Sequence, residues 1–251
     1  MNIKIINIDT TDSTNRYLHE YQGEEGSIMT IATANYQTAG RGQGTNHWES
    51  EPYKNLLFSV KTHPQGVPVA RQYVMLEAGA LAIADTLTAY INDVSIKWPN
   101  DIYWKDSKIS GTLSECAISG PHIRQCILGT GININQQHFV SDAPNPVSLR
   151  QITGHEVCCE EVLQRFIKAF SGYLQRIKAG QLDGIDQLYA QRLYRKQGLH
   201  AYRDADGCFM ARIVRVEQNG HLVLEDEQGK QRTYAFKEVS FVINNKDKQR
   251  F

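Results

Sequence analysis

Val94-Ser-Ile-Lys-Trp-Pro-Asn-Asp-Ile-Tyr-Trp104, followed by Ile109-Ser-Gly-Thr-Leu-Ser-Glu-Cys-Ala-Ile118 and Ile123-Arg-Gln-Cys-Ile-Leu-Gly-Thr-Gly-Ile-Asn133, carries the pattern that sets the fold. Short runs rich in β-branched and aromatic residues, at Val94–Trp98, Ile102–Trp104, Ile109–Ile118 and Ile123–Asn133, predict a sheet of several strands. Upstream, residues 3–8, Ser27–Thr33 and Asn55–Lys61 have the same character. Asp12 or Ser13 can cap a short helix with apolar positions Tyr17, Leu18 and Tyr21. From Pro68 to about Ile91, the residues Val69, Tyr73, Leu76, Ala80, Ile83 and Leu87 recur at helical steps, which predicts the longest helix of the chain. A second helical stretch, Glu160–Ile177, places Leu163, Phe166, Phe170, Tyr173, Leu174 and Ile177 on one side.

Beyond Arg195 the pattern changes to short strands at Phe209–Val216, Leu222–Leu224, Arg232–Phe236 and Val239–Val242, with turns at Gln218-Asn219-Gly220 and Gln228-Gly229. This reads as a small β-barrel, and the adjacent apolar pair Ile213-Val214 predicts a bulge within it. The expected class is α+β: a mixed sheet flanked by helices over residues 1–194, then a small β-domain over 195–251, its polar end from Asn244 frayed.

The 251 residues are enough to bury a sizeable core. Lys plus Arg and Asp plus Glu both number 27, so no overall field draws the chain to nucleic acid or an anionic membrane, and any anion site is local. No membrane-length apolar run and no signal-peptide pattern occurs, so a soluble, cytoplasmic protein is expected. Five cysteines without a CxxC pair suggest neither a disulfide framework nor a zinc knuckle, and eight scattered histidines suggest no histidine-built metal site.

Two segments carry chemistry. Tyr36-Gln-Thr-Ala-Gly-Arg-Gly-Gln-Gly-Thr-Asn-His-Trp48 offers backbone amides at Gly40, Gly42 and Gly44 beside the cation Arg41, on a long loop between strands. Its spacing matches neither the dinucleotide fingerprint nor the P-loop. On the residues alone it is equally a glycine loop with a solvated arginine, and Trp48 equally a loop anchor or a core residue. Lys97-Trp-Pro-Asn-Asp101 sets Asn100 and Asp101 after a proline turn, where they face a cleft or simply form a polar turn. Lys108-Ile-Ser-Gly111 brings a lysine to a strand start, and the small residues of Gly129-Thr-Gly131, before Asn133, suggest close approach of a ligand or of backbone.

Asp12-Ser-Thr-Asn15, Gln37-x-x-Gly-Arg-Gly42 ending in Trp48, Lys97-Trp-Pro-Asn-Asp101, Lys108-Ile-Ser-Gly111 and Gly129-Thr-Gly-Ile-Asn-Ile-Asn135 resemble, in order and spacing, the biotin protein ligase family over roughly residues 9–136. The resemblance implies a ligase-like catalytic domain with an SH3-like carboxy-terminal domain. It implies ATP-dependent activation of biotin as biotinyl-5'-AMP, with Mg2+ held largely by phosphate oxygens and water, then transfer to one lysine of a biotin carboxyl carrier protein domain. By the same resemblance Ser13, Thr14, Asn15 and Gln37 would bind biotin, with Gly111 lining the pocket. Arg41, Gly42 and Gln43 would lie over its carboxylate and the phosphate, with Trp48 closing the loop, and Gly129, Gly131 and Asn133 would face the adenylate. Lys108 and Arg41 would be the catalytic cations, and Asp101 would orient the carrier lysine or take its proton. Many family members carry further arginines in the loop, whereas Arg41 is the one arginine here. The Asp-Ser-Thr-Asn motif begins at Asp12, which leaves no room before it for a helix-turn-helix, so DNA binding is not expected. Monomer and dimer are both compatible with the sequence. The rival functions are a lipoate or other acyl-carrier ligase and a non-catalytic biotin sensor.

Overall fold

The computed structural model describes residues 3–22, 28–42, 44, 46–140 and 145–243. A seven-stranded sheet is built from β1 (Ile3–Thr11), β2 (Met29–Gln37), β3 (Leu56–Thr62), β4 (Val94–Lys97), β5 (Asp101–Trp104), β6 (Ser107–Ser119) and β7 (His122–Ile132) in the order β1-β2-β3-β7-β6-β5-β4. Only β1 and β2 pair in parallel, and α1 (Thr14–Glu20) makes the crossover between them, as a parallel connection requires. The mixed sheet is the one expected from the alternating runs.

Side-chain size divides the two faces. Ile31, Phe58, Val60 and Leu128 point to one side and meet α2 (Tyr73–Leu87) and α4 (Cys159–Lys178), where Phe58 and Phe166 pack edge to face with centroids 4.7 Å apart. The opposite face presents smaller groups: Ala32, Ser59 and Gly129 lie in register across β2, β3 and β7, and Gly111 is opposite Gly131 across β6 and β7. Helix α1 covers one end of that face through Leu18, with Ala32 and Ile127 beneath it. The rest of the face is left as a floor.

The helical periodicity from Pro68 resolves into a 3-10 turn at Val69–Arg71 followed by α2. The longest helix is therefore α4, with 20 residues against 15 in α2, which corrects the expectation from periodicity. The pattern continued through Tyr90 and Ile91 because those residues still pack on the core after the helix has ended. Two short helices, α3 (Leu149–Thr153) and α5 (Leu182–Gln191), were not foreseen. Helix α3 carries a capping box between Ser148 and Gln151, and Gly154 ends it in the left-handed conformation.

A second, antiparallel sheet of five strands, β8 (His200–Asp204), β9 (Gly207–Val216), β10 (Leu222–Asp226), β11 (Gln231–Tyr234) and β12 (Ser240–Phe241), runs in the order β11-β10-β9-β8-β12, consistent with an SH3-like domain. Val223 pairs with Arg215 and Leu224 with Ile213, so Val214 is the extra residue of the expected bulge. The end from Asn244 lies outside the described residues. No helix among the described residues is long and apolar enough to cross a membrane.

The second sheet is pinned to the first beside the Trp98-Pro-Asn turn. Trp98 Nε1 donates to Gly220 O at 2.9 Å, and the Tyr73 ring lies where a Gly220 Cβ would be, 2.5 Å from Cδ2. Tyr73 and Tyr189 hydroxyls, themselves 2.9 Å apart, both donate toward Pro99 O at 3.2 and 2.7 Å. Below them Glu77 is buried, with Oε2 lacking a hydrogen-bond partner among the described residues. Burial, followed by a hydrogen bond with Asp186, pushes its carboxyl from an ordinary 4.5 up to about 9, against the pull of Arg71.

Glu77 is thus protonated in the fold and ionised in the unfolded chain between those values, so its stabilisation is full below pH 4.5 and is lost as pH rises toward about 9. Glu77→Gln is expected to flatten the decline in urea-unfolding free energy across that window. An unchanged slope would show that Glu77 does not bind the proton.

Candidate active site

The small-residue face opens into a cavity of about 500 Å³. Ser13, Thr14, Asn15, Gln37, Arg41, Gly42, Trp48, Asp101, Lys108, Gly111, Gly129, Gly131 and Asn133 all line it. Gln43 lies outside the described residues.

One end is a continuous polar row. Gln37 Oε1 accepts from Thr14 N and Thr14 Oγ1 at 2.7 and 3.0 Å, and Thr14 Oγ1 meets Ser59 Oγ at 2.7 Å. Ser59 Oγ donates to Asn15 Oδ1 at 2.5 Å, and Asn15 Nδ2 donates to Glu115 Oε2 at 2.7 Å. His19 Nε2 lies 3.1 Å from the same carboxylate oxygen. Ser13, Thr14, Asn15 and Ser59 are buried. Gly129 makes the row possible: a Cβ there would stand 2.1 Å from Asn15 Oδ1. Ser59 and Glu115 were missed in the sequence. A hydroxyl inside the apolar run Leu-Leu-Phe-Ser-Val of β3 was the available signal for the first, and nothing local marks the second.

The glycine loop starts from the same place, because Thr38 N and Ala39 N donate to Thr11 O and Asp12 O at 2.9 and 3.0 Å. It then doubles back as a narrow hairpin: Gly42 N donates to Asn46 O at 2.7 Å and Trp48 N to Gly40 O at 3.0 Å, with Arg41 bridged to His47. The Trp48 ring occupies the space over Gly131, where a Cβ would be 2.3 Å from Cε2.

Asp101 and Lys108 meet at 2.7 Å, each side chain about one-fifth exposed. Strand parity alone would place Lys108 on the face opposite Gly111, Leu113 and Glu115. A register shift prevents this: Ile102 pairs with Ser110 but Tyr103 pairs with Lys108, so Ile109 is the extra residue and Lys108 is returned to the cavity face. Gly111 lies under the ion pair, and a Cβ there would be 3.2 Å from both Asp101 Oδ1 and Lys108 Nζ. The Lys108 backbone is fixed on its other edge, since Lys108 N donates to Asn145 O and Lys108 O accepts from Val147 N. Lys108 Nζ also stands 5.7 Å from the Trp48 ring centroid.

The first lysine of Lys97-Trp-Pro-Asn-Asp101 is elsewhere. Lys97 is enclosed between the Tyr103 and Phe241 rings, 5.5 and 4.9 Å from Nζ, and burial pushes its pKa down while Asp101 partly opposes this. Asn100 is buried and donates to Thr112 O. At the far end Asn133 Nδ2 donates to Val147 O at 3.1 Å, while its buried Oδ1 has no partner among the described residues. A donor from a ligand would satisfy it. Phe236, from the second sheet, also lines the cavity and had no signal in the sequence reading.

Chemically, the cavity offers a buried row of hydroxyl and amide groups at one end, an ion-paired lysine at its centre, an arginine-bearing glycine hairpin above it, and an unsatisfied acceptor beyond. The sequence profile of the Biotin/lipoate A/B protein ligase family matches residues 8–133, the stretch that supplies nearly all of this lining. A biotin--[acetyl-CoA-carboxylase] ligase of Paracoccus denitrificans is 34% identical over 169 residues, covering 64% of this chain and 69% of that protein. The bifunctional ligase/repressor BirA of Bacillus spizizenii is 26% identical over 233 residues, covering 90% of this chain and 71% of its own length. The chain belongs to the biotin/lipoate A/B protein ligase family. In structure it is similar to the biotin protein ligase of Aquifex aeolicus solved with biotin and ATP, with TM-score 0.78 at 24% identity over 96% of this chain and 99% of that one. The Leishmania major biotin protein ligase solved with biotinyl-5-AMP has TM-score 0.61 at 21% identity, covering 92% of this chain and 98% of that one.

Gly129→Ala is expected to drive Asn15 out of the polar row and to destabilise the protein by about 1–3 kcal/mol. Urea denaturation measures the loss, and a variant as stable as the parent with Asn15 still bonded to Ser59 would contradict this packing.

Proposed function

We propose that the protein is an ATP-dependent biotin ligase: it activates biotin as biotinyl-5'-AMP and transfers the biotinyl group to a lysine of a biotin carboxyl carrier domain, in the cytoplasm. The observation that carries this reading is the hydrogen-bonded polar group of Gln37, Thr14 and Asn15, which lines the same cavity as Lys108. A ureido ring brings two N–H donors and a carbonyl acceptor to such a row. A dithiolane ring brings neither and would make no use of the remaining donor and acceptor capacity of these hydroxyl and amide groups, so the row favours biotin over lipoate.

In the first step a carboxylate oxygen of biotin attacks the α-phosphorus and pyrophosphate leaves. Two anions must be held together while charge builds on the phosphoryl oxygens. Lys108 supplies a cation at the middle of the cavity, its ammonium aimed by Asp101 and its backbone held on both sides. Arg41 also lines the cavity, where its guanidinium can stabilise the same charge. The unsatisfied Asn133 Oδ1 is suited to accept from the nucleotide.

In the second step the carrier amine attacks the acyl carbonyl, AMP leaves, and the nitrogen loses a proton. Asp101 commits Oδ1 to Lys108, which leaves its second oxygen to receive the incoming ammonium and take that proton. Among the described residues no three His, Cys, Asp or Glu side chains are gathered as a metal cage. Mg2+ would enter as an ion carried by triphosphate oxygens and water, where it would spread phosphate charge.

Purified protein with ATP, Mg2+ and an acceptor carrier domain is expected to incorporate biotin, read by streptavidin blot, and not lipoate. Labelling by lipoate alone would overturn the assignment. Lys108→Ala is expected to lower biotin-dependent pyrophosphate exchange by roughly 100-fold or more. Exchange at the parental rate would remove Lys108 from the chemistry.

A further inference from the structure

The hydrogens of the polar row are ordered, and a carboxylate at its end sets the order. Glu115 stands on β6 opposite Ile127 of β7, and it lies outside the cavity lining. Asn15 Nδ2 donates to its Oε2 at 2.7 Å, and His19 Nε2, from the same helix as Asn15, is 3.1 Å from that oxygen. An ionised carboxylate has no hydrogen to give. Asn15 therefore turns its amino group toward Glu115 and its carbonyl toward Ser59, because the flipped amide would set two acceptors against each other.

The order then passes inward. Ser59 has one hydroxyl hydrogen, and it goes to Asn15 Oδ1 at 2.5 Å. Thr14 must then be the donor in the 2.7 Å contact between Thr14 Oγ1 and Ser59 Oγ. The other neighbour of Thr14 Oγ1 is Gln37 Oε1 at 3.0 Å, which can only accept. Both partners of this hydroxyl within the row are acceptors, so toward a ligand Thr14 offers lone pairs and no hydrogen. Gln37 Oε1 also accepts from Thr14 N at 2.7 Å, which leaves Gln37 Nε2 as a donor, and Asn15 Nδ2 keeps a second hydrogen. Thr14, Asn15 and Gln37 all line the cavity. Its wall at this end is thus one hydroxyl acceptor beside amide donors, the complement of an N–H next to a carbonyl. With Asn15 flipped, the Ser59 hydrogen would pass to Thr14 instead, and one of those lone pairs would be spent inside the row.

We propose that Glu115 is a positioning residue for substrate recognition: from outside the cavity its carboxylate fixes the Asn15 amide and, through Ser59, the Thr14 hydroxyl, so that the cavity selects a ligand presenting an N–H beside a carbonyl. This deepens the ligase reading, on which its ligand, the ureido ring of biotin, rests.

Glu115→Gln is the informative variant. It keeps the side-chain length and an acceptor oxygen, but a glutamine amide can also donate, so both orientations of Asn15 become allowed. Calorimetry is expected to show biotin and desthiobiotin, which share the ureido ring, weakened about 10-fold. ATP affinity and the maximal pyrophosphate-exchange rate at saturating biotin are expected to stay at the parental values. In NMR spectra the Asn15 side-chain amide proton bonded to the carboxylate is expected downfield in the parent and is expected to move upfield in Glu115→Gln, with the backbone spectrum otherwise retained. Biotin affinity equal to the parent's, or an unmoved Asn15 proton, would overturn the proposal. So would a parallel loss of biotin and ATP affinity, which would make Glu115 a structural support only. A parent that binds no biotin, yet whose Asn15 proton moves as expected, would sink the ligase reading and uphold the ordering of the row by Glu115.

Discussion

The Asp101–Lys108 ion pair across Gly111 is the contact on which the site depends. It needs three things that come from different parts of the chain. A proline turn ends β4 and starts β5 at Asp101, an extra residue at Ile109 reverses the parity of β6, and a glycine lies beneath so that both side chains can approach the strand. Without the extra residue, Lys108 would face the helices, where a cation would carry a large desolvation penalty. Lys97 shows what enclosure does to a lysine in the same hairpin: burial depresses its pKa, and two aromatic rings are its partners.

The rest of the cavity follows from side-chain size on one face of the sheet. Ala32, Ser59, Gly111, Gly129 and Gly131 keep that face low, and Asn15 and Trp48 lie in the space their side chains leave. The opposite face packs its apolar side chains against α2 and α4. One sheet therefore carries both functions, with stability on the helical side and a rigid polar floor on the other. The Tyr73–Tyr189–Pro99 contacts and the Trp98–Gly220 bond extend that rigidity to the turn bearing Asp101 and to the second sheet.

Much of this was legible in the sequence because strand alternation and ordered glycine motifs are local signals. The strands from β4 to β7, helix α4 and the bulge at Val214 all follow from spacing a few residues long. The length of α2 was misjudged because Tyr90 and Ile91 continue the apolar pattern for tertiary reasons. Helices α3 and α5 are too short for periodicity to stand out. Ser59, Glu115 and Phe236 join the site through register and through docking of the second sheet, and neither relation is written in their neighbours. The thirteen described residues named from motifs line one cavity because that cavity is a single sheet face with the loops at its end.

A crystal structure with a non-hydrolysable sulfamoyl analogue of biotinyl-adenylate tests the central claim most directly. The ureido ring is expected against Thr14, Asn15 and Gln37, and the sulfamoyl group, which takes the place of the acyl phosphate, within hydrogen-bond distance of Lys108 Nζ. An analogue bound with its ring away from that row, or with the sulfamoyl group out of reach of Lys108, would contradict it.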